Sequence, residues 1–396
     1  MERKAYVVVG LGFGDEGKGL ATDYLCSYVT NPLVIRFNGG HQAGHTVVTK
    51  SGHKHVFSTL GAGTLRGVPT YWSSYCTFSP AILLPEYSSL GIQAKLFVDN
   101  NCPVTTHYDV LYNRAMEATR GLARHGSCGL GFGATIERHQ LPELQLFPAD
   151  LLSPALYKAK LQLIRSHYQA KVDQESSYSF NRFDHDAADH QFGVEAEEVR
   201  KLCQEGTIQL VNEDEMFAQN ASWQSFIFEG AQGILLDMDF GTPPHITRSN
   251  TTSKNALEIL KRQLPATTAE IMYVTRCYQT RHGAGPLASA DESLELVNND
   301  CESNQYNEHQ GQFRVSNLNL DSLNYALSSD ANFSRGLKKH LLITCLDQLG
   351  TSEVPFYLNE TPNRAHYTHL PSLLHCQFAS HRFSFNSCAD YLSSEG

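Results

Sequence analysis

The chain has 396 residues, of which 41% are hydrophobic and 18% charged, and its formal net charge is −10. This composition is that of a globular protein, and the length suffices to bury a large core without disulfides. The negative balance, with no long run of lysine or arginine, offers a nucleic acid no broad electrostatic footprint and makes it a poor candidate partner. Local basic sites for small anions stay open.

The N-terminal segment and the cysteines favour a cytoplasmic protein. The first apolar run meets Asp15 and Glu16 too soon to be the apolar region of a signal peptide. No uncharged apolar stretch approaches the ~20 residues that span a bilayer, so no membrane association is expected. Ten cysteines are scattered from Cys26 to Cys388 without a Cys-x-x-Cys pair, which favours reduced thiols over disulfides or a zinc ribbon.

Short apolar runs alternate with helical spacers along the chain. The first unit is a β-branched run at Tyr6–Val9, then a glycine-rich turn, then a helix over about Lys18–Tyr28. Further strands are predicted at five apolar runs: Leu33–Phe37, Ile208–Val211, Phe226–Phe228, Ile271–Val274 and Leu341–Thr344. The alternation predicts an α/β fold with a doubly wound, mostly parallel central sheet and helices on both faces.

A single large domain with loop and helical insertions is expected over residues 1–396. A Ser-Pro pair and apolar residues at helical spacing predict a surface helix within Leu151–Val172. Polar composition marks the segments 173–200 and 289–311 as insertions outside the core.

The segment between the first strand and helix reads GLGFGDEGKG, residues 10–19. Its glycines bring N–H groups close to phosphate oxygens, the helix N-terminus adds its dipole, and Lys18 would add a charge. It is not a standard P-loop, because Gly19 stands where that motif needs Ser or Thr. It fits the dinucleotide-binding pattern G-x-G-x-x-G only with Asp15 and Glu16 inside the pattern. Asp15 suits Mg²⁺ binding or proton transfer better. The alternative is a turn that only packs the helix on the sheet.

A second glycine-rich segment, GGHQAGHT at residues 39–46, follows the second predicted strand. His41 and His45 have the spacing of helical zinc ligands, but the glycines argue against a helix, so metal ligation is the less favoured interpretation. Two imidazoles on a loop at the carboxyl end of a strand are typical of a substrate-facing loop, with one histidine as acid or electrophile. Hydrogen-bonded scaffold histidines are the alternative.

A third segment, Glu229–Asn250, is a predicted strand that runs into a loop rich in glycine, proline and amides. Here Gln232 and Thr247 can hydrogen-bond a bound polar ligand.

Together and in this order, GFGDEGKG, GGHQAGHT and EGAQG…TRSNTT resemble the signature segments of the adenylosuccinate synthetases. The similarity continues in TRHGAGPL at residues 280–287 and ITCLDQLG at residues 343–350. The resemblance implies a ligase that joins L-aspartate to IMP, with GTP donating a phosphoryl group to the purine O6 before the amine displaces it. It also implies Mg²⁺ and a homodimer.

The resemblance implies a role for each matching residue. Asp15 would remove the N1 proton, and His45 would stabilise the transferring phosphoryl group. Mg²⁺ would be bound by the Asp15 carboxylate and the Gly44 carbonyl. Triphosphate contacts are expected from Gly14, Glu16, Gly17, Lys18, Gly19, Gly44, Thr46 and Asp347. Substrate contacts are expected from Gln42, Cys128, Gln232, Thr247 and Arg314.

Two substrate loops depart from the family's pattern. The phosphate loop reads GSCGLGFGA at residues 126–134, with Leu130 in place of an arginine. The nearest candidate for the arginine that a partner subunit contributes in the family is Arg138. The amino-acid loop reads NEHQGQFRVS at residues 307–316 and keeps Arg314 alone, which is one guanidinium for the two carboxylates of aspartate.

The nucleotide-base segment also departs, because TCLD replaces the family's TKLD and the C-terminal segment 351–396 is divergent. Asp347 can still accept hydrogen bonds from guanine, but ATP is a credible donor as well. Three further alternatives stay open: a paralogue that uses another amino acid or purine nucleotide, a purine-nucleotide-binding protein without catalysis, and a dinucleotide-dependent oxidoreductase, which Asp15 and Glu16 disfavour.

Overall fold

The structure is a computed structural model that describes residues 3–175, 180, 183–219, 222–287, 294–297 and 309–392. Within them the strands are β1 (Lys4–Gly10), β2 (Pro32–Arg36), β3 (His45–Val48), β4 (Lys54–Phe57), β5 (Thr70–Trp72), β6 (Leu96–Asp99), β7 (Ile208–Val211), β8 (Ser225–Gly233), β9 (Thr268–Arg276), β10 (Tyr278–His282), β11 (Phe313–Asn319), β12 (Lys338–Thr344), β13 (Glu353–Leu358), β14 (Thr361–His366) and β15 (Ser380–Phe383). The helices are α1 (Lys18–Tyr28), α2 (Pro80–Ser89), α3 (His107–Arg120), α4 (Phe132–Arg138), α5 (Pro154–Glu175), α6 (His185–Gln204), α7 (Glu213–Gln219), α8 (Lys254–Gln263), α9 (Leu320–Ser334) and α10 (Leu370–Leu373).

In the described residues, nine strands form one sheet in the order β15-β12-β9-β1-β8-β2-β5-β6-β7. Every neighbouring pair in it is parallel. Because strand order departs from sequence order on both sides of β1, the sheet is doubly wound, and the predicted fold class is confirmed. All its carboxyl ends meet at one edge.

Strand β1 is buried on both faces, as a central parallel strand requires. Alternate residues Ala5, Val7 and Val9 join a core cluster on one face. Val8 joins another cluster on the opposite face, where Leu20 and Leu25 of α1 pack. This two-sided packing fixes the turn between β1 and α1 at the centre of the sheet's carboxyl edge.

A separate cluster fills the half of the molecule around α2, α3, α5 and α6. The predicted surface helix is present as α5, which starts at Pro154. In the segment 173–200, expected as a polar insertion, the described residues are mostly in α5 and α6, and Phe192, Ala196 and Val199 are buried. Its status as an insertion stays a prediction, and most of the segment 289–311 lies outside the described residues.

Two smaller sheets, which sequence patterns did not predict, complete the fold. Strands β10, β11, β13 and β14 form one, and β3 pairs with β4 in a hairpin. The C-terminal segment contributes β15 to the edge of the central sheet. Across the described part of the chain, none of the helices is long and apolar enough to cross a bilayer.

Candidate active site

A cavity of about 1270 Å³ lies at the carboxyl edge of the central sheet. Loops that follow β1, β2, β8, β12 and β15 line it, and all the predicted site residues except Arg314 take part. The lining set thus includes Gly14, Asp15, Glu16, Gly17, Lys18, Gly19, Gln42, Gly44, His45, Thr46, Cys128, Gln232, Thr247 and Asp347. The three separate signature segments therefore meet around one space.

The glycine-rich turn after β1 is organised by the Glu16 carboxylate. Its Oε1 accepts the backbone N–H groups of Gly12 at 3.0 Å and Gly14 at 2.8 Å. Its Oε2 accepts from Lys18 Nζ at 2.5 Å, and both side chains are buried. Glu16 was expected to contact the triphosphate, but here its carboxylate is bound inside the turn and gives the turn its shape.

Asp15 has a left-handed backbone, with φ of 62°, which turns its side chain into the cavity. Its Oδ2 lies 3.0 Å from His282 Nε2, and its backbone carbonyl accepts from Arg276 Nε. Burial opposes ionisation, but the hydrogen bond and charge of His282 and the charges of Arg276 and Lys18 outweigh it. The pKa of Asp15 therefore lies below its ordinary value, and the carboxylate is ionised.

His45 is held by a buried carboxylate. Its Nδ1 lies 2.7 Å from Glu229 Oε1, while Glu229 Oε2 accepts the Ala62 N–H at 3.1 Å. Burial lowers the pKa of His45 more than Glu229 raises it, and the pKa of Glu229 is also lowered despite burial, by His45 and by Arg36. Among the described residues His45 Nε2 is buried without a partner, so this nitrogen is available to a ligand in the cavity.

The two histidines of the second segment have different surroundings. His41 Nε2 lies 3.0 Å from the Leu130 carbonyl, and its Nδ1 lies 3.2 Å from Thr77 Oγ1. Both ring nitrogens of His41 thus face protein atoms, as the scaffold interpretation of this histidine predicts. The described residues hold no cluster of three or more His, Cys, Asp or Glu able to bind a metal.

Two glutamines present unsatisfied amides to the cavity. Neither amide atom of Gln42 has a hydrogen-bond partner in the described residues, and Gln232 Oε1 also lacks one. Gln232 is held with φ of 63°, a conformation that is uncommon outside glycine. A buried amide without a partner costs about 1–3 kcal/mol, so this arrangement is suited to a ligand that supplies the missing partners.

Arg138, the expected candidate for a partner-subunit contact, is completely engaged within its own chain. Its Nε and Nη2 donate to the two oxygens of Asp109 at 2.8 and 3.0 Å. Nη1 also donates to the Leu144 carbonyl and Nη2 to the Val104 carbonyl, and the Arg138 side chain has no exposed surface. Arg138 therefore cannot reach a second subunit, and that expectation was wrong.

Arg314 lies outside the cavity lining and directly opposite Arg281 in the β10–β11 ladder. Arg281 lines the cavity, with its guanidinium over the Phe13 ring at 4.1 Å. Burial and the charge of Arg314 lower the pKa of Arg281 to about 10, and no carboxylate contacts either arginine in the described residues. In the described residues the two guanidinium groups donate to backbone carbonyls, Arg281 to Pro286 and His245 and Arg314 to Gly285. Two neighbouring positive charges bound only to neutral groups favour an anionic ligand.

The end of the cavity near Asp347 is completed by the C-terminal segment. The loop after β15 contributes Phe385, half exposed, and Asn386 to the lining. The Leu346 N–H donates to the Ser384 carbonyl and ties this loop to the turn after β12. A ligand at Asp347 would meet side chains that no matching motif had indicated.

Sequence reasoning missed three residues of the site. His282 and Arg281 lie in TRHGAGPL, which was noted only as a matching block, and Glu229 opens the third segment without an assigned role. The available signal was one charged side chain inside an otherwise uncharged strand, Glu229 in β8, and two basic side chains at the end of β10. His282 and Glu229 are far along the chain from their partners, Asp15 and His45, so only the fold reveals the contacts.

The sequence model of the adenylosuccinate synthetase family matches residues 7–354 of this chain. The chain belongs to the adenylosuccinate synthetase family. An adenylosuccinate synthetase from Ralstonia pickettii is 33% identical over 292 residues, which cover 72% of this chain and 62% of that protein. The chain spans 62–64% of the length of such curated relatives.

Two solved structures share the fold of this adenylosuccinate synthetase family member. A fully ligated adenylosuccinate synthetase from Plasmodium falciparum superimposes with a TM-score of 0.76 at 18% identity, covering 98% of both chains. A succinoaminodeoxyadenylate synthetase of cyanophage S-2L, bound to dGMP and to dATP as energy donor, gives 0.63 at 18% identity, covering 99% of this chain and 95% of that one.

Proposed function

We propose that this chain is a carbon–nitrogen ligase of the adenylosuccinate synthetase type, which joins L-aspartate to IMP with hydrolysis of a nucleoside triphosphate. One observation carries the proposal. The ionised Asp15 and the Glu229-bound His45, with its free Nε2, line the same cavity. A base for the purine and a donor for a phosphoryl group are the two functions that this reaction requires.

In the first step, Asp15 accepts the N1 proton of IMP, and the electron pair moves onto O6. The O6 atom then bonds to the γ-phosphorus as the bond from that phosphorus to the nucleoside diphosphate breaks, giving 6-phosphoryl-IMP. Once protonated, His45 donates from Nε2 to the charged phosphoryl oxygens, and ionised Glu229 stabilises the imidazolium.

In the second step, the amine of the amino acid bonds to C6 and the bond from C6 to O6 breaks. Inorganic phosphate is the leaving group and takes up the proton that the amine loses. Gln42 and Gln232 satisfy their amides on the purine nucleotide, and Thr247 lies beside them in the lining. Arg314, with Arg281 next to it, provides positive charge for the carboxylates of L-aspartate or of another amino acid.

The residues around Asp15 fit Mg²⁺. One carboxylate and the Gly44 carbonyl are hard oxygen ligands, and Mg²⁺ commonly takes one or two protein ligands and completes its shell with phosphates and water. When bound, the ion neutralises charge on the triphosphate. We propose GTP as the donor, with ATP as the alternative, and Asp347 as the acceptor for base N–H groups.

The glycine turn is the proposed triphosphate site, through the backbone of Gly17 and Gly19, Lys18 and the neighbouring Thr46. Gly14 lines the same site, but its N–H already donates to Glu16. Cys128 belongs to the proposed purine-nucleotide site, and burial raises its thiol pKa, so it acts as a neutral group. A cytoplasmic homodimer is proposed on the family resemblance alone.

The test is phosphate release by purified protein with Mg²⁺ and IMP, crossing GTP and ATP with a panel of amino acids and identifying products by mass. We expect adenylosuccinate from GTP and aspartate. Asp15→Asn should abolish turnover while IMP still binds. Product from another pair would reassign the substrates, and IMP binding without phosphate release from any pair would favour the purine-binding protein.

A further inference from the structure

We propose that Arg248 binds the phosphate group of the nucleoside monophosphate from within the same subunit as Asp15. This inference rests on the proposed function only in taking a purine nucleoside monophosphate as the ligand. It assigns the positive charge beside the phosphate loop to a side chain of the same subunit. The family resemblance had implied an arginine from the partner subunit for this role.

Four basic side chains converge where the loop 126–128 enters the cavity: Arg120, His125, His245 and Arg248. His245 Nδ1 donates to the His125 carbonyl at 3.1 Å, which joins the two segments that carry them. Burial lowers the pKa of His125, and the charges of Arg120, His245 and Arg248 lower it further, so these groups lie close enough to repel one another. We call these four residues the basic wall.

Only one arginine of the basic wall is free to change partner. Arg120 donates at 2.5 Å to Glu117, a buried carboxylate that also accepts the Gly126 N–H at 3.2 Å. Breaking the Arg120–Glu117 ion pair would leave the buried carboxylate of Glu117 without its partner. Arg120 is therefore a fixed positive charge behind the loop.

Arg248 is different because its ion pair is exposed. Its Nη2 lies 2.6 Å from Glu137 Oε1, and the two side chains are 57% and 38% exposed. Such a surface pair contributes about 0–1 kcal/mol and exchanges readily. The Arg248 Cγ lies next to Gly133, 3.4 Å from where an added methyl group would stand, so the stem is beside the loop while the side chain stays 57% exposed.

A phosphate monoester competes well with Glu137 for this guanidinium. It carries a charge of about −1.5 to −2 at neutral pH and accepts two parallel N–H bonds, whereas the carboxylate carries a single charge. The neighbouring charge of Arg120 favours the ligand with the larger negative charge. Arg138 cannot substitute, since all its donors are bound to Asp109 and to backbone carbonyls.

Calorimetric titration with IMP and with inosine, which lacks the phosphate, tests the assignment. Arg248→Gln should weaken IMP binding roughly 10- to 100-fold, the range for losing a charge-assisted pair, and leave inosine binding unchanged. Arg248→Lys should recover part of the loss, and Glu137→Gln should tighten IMP binding. Arg200→Gln is the matched control, because Arg200 forms a similar half-exposed pair with Glu197 on α6, away from the cavity, and should change nothing.

A mixing experiment separates a contact within one subunit from a contact across subunits. Asp15→Asn and Arg248→Gln proteins, each impaired alone, are denatured together, refolded and assayed. If Arg248 acts on its own subunit's site, mixing restores no activity. Restored activity would overturn the inference, because an intact Asp15 site would then be receiving Arg248 from a partner.

The two proposals fail in different ways. Adenylosuccinate formation with IMP affinity unaltered in Arg248→Gln would overturn the Arg248 assignment and leave the ligase standing. IMP binding that depends on Arg248, in a protein that forms no product, would support the assignment and overturn the ligase. Equal losses of IMP and inosine affinity would also contradict a phosphate contact.

Discussion

The Nδ1 atom of His45 lies 2.7 Å from Oε1 of Glu229, a carboxylate with no exposed surface. The N–H of Ala62 binds the other oxygen of Glu229, so the carboxylate cannot rotate away and the imidazole is fixed with Nε2 as its free nitrogen. If His45 acts as proposed, Glu229 is therefore a positioning residue, which acts on the reaction through His45.

Removing the charge of Glu229 tests whether this carboxylate acts through His45. Glu229→Gln keeps the size of the side chain but removes the charge that stabilises a protonated His45, so kcat should fall roughly 100-fold or more. The KM for IMP should change little, because Glu229 contacts no proposed ligand. A parallel fall in thermal stability, large enough to unfold the protein under assay conditions, would instead indicate a purely structural role.

His282 should support catalysis through Asp15. Its Nε2 donates to the Asp15 carboxylate at 3.0 Å, and His282→Leu removes that hydrogen bond and leaves the carboxylate free to turn. We expect kcat to fall about 10-fold, in line with the loss of one hydrogen bond to a charged group, and His282→Gln to recover part of it.

The chain offers a matched control for His282. His340 Nε2 lies 3.0 Å from Glu270, at an exposure similar to that of His282, but at the other end of the strands. His340→Leu should leave kcat unchanged. Equal effects of the two substitutions on kcat would mean that His282 acts only through folding stability.

Glu86 should make the stability of the protein depend on pH. Burial raises its pKa to about 7, although the N–H groups of Thr59 and Leu60 favour the charged form. The folded state therefore binds the proton more tightly than the unfolded chain, whose value is near 4.5. The free energy of unfolding should fall by about 3 kcal/mol as pH rises between these two values, and then level off.

Thermal melts of the wild type and of Glu86→Gln across this pH window measure the effect. The wild type should lose stability relative to the variant as pH rises, since glutamine does not titrate. A constant difference between the two proteins at every pH would show that Glu86 has the same protonation state in the folded and unfolded chains.

Gly233 should tolerate no side chain. A Cβ at this position would lie 2.2 Å from the Gly12 carbonyl and 2.5 Å from the Glu16 carboxylate. Gly233→Ala should therefore displace the glycine turn and weaken triphosphate binding by about 10-fold or more, the effect of a shift of roughly 1 Å in a binding loop. Fluorescent-nucleotide titration measures this, and unaltered affinity would mean that the turn does not contact the triphosphate.

Local patterns predicted the elements that carry a strong local signal. The β-branched run before the glycine turn predicted β1, and the Ser-Pro pair predicted the start of α5. The three residues of β5 are too few for a periodic pattern, and they are a strand only because β2 and β6 flank them. Helix α6 has the composition of a polar insertion because its few buried residues are widely spaced among charges.

In the candidate site, too, local sequence signals predicted one part and only the fold revealed the other. Signature segments predicted which loops line the cavity, because those loops follow parallel strands whose ends meet. They could not predict which side chains touch, since the pairs Asp15 with His282 and His45 with Glu229 join distant parts of the chain. Arg138 has the right chemistry for a ligand, and only its burial beside Asp109 excludes it.

The Glu16 carboxylate inside the glycine turn has a consequence for how nucleotides are attracted. Together with Lys18 it forms a pair with no net charge, and it occupies the N–H groups of Gly12 and Gly14. If the turn binds the triphosphate as proposed, the aligned dipoles of the remaining backbone therefore contribute more to the attraction than the Lys18 charge, which Glu16 already balances. Added salt screens exposed charges most, so it should weaken binding less at this buried turn than at the exposed guanidinium of Arg248.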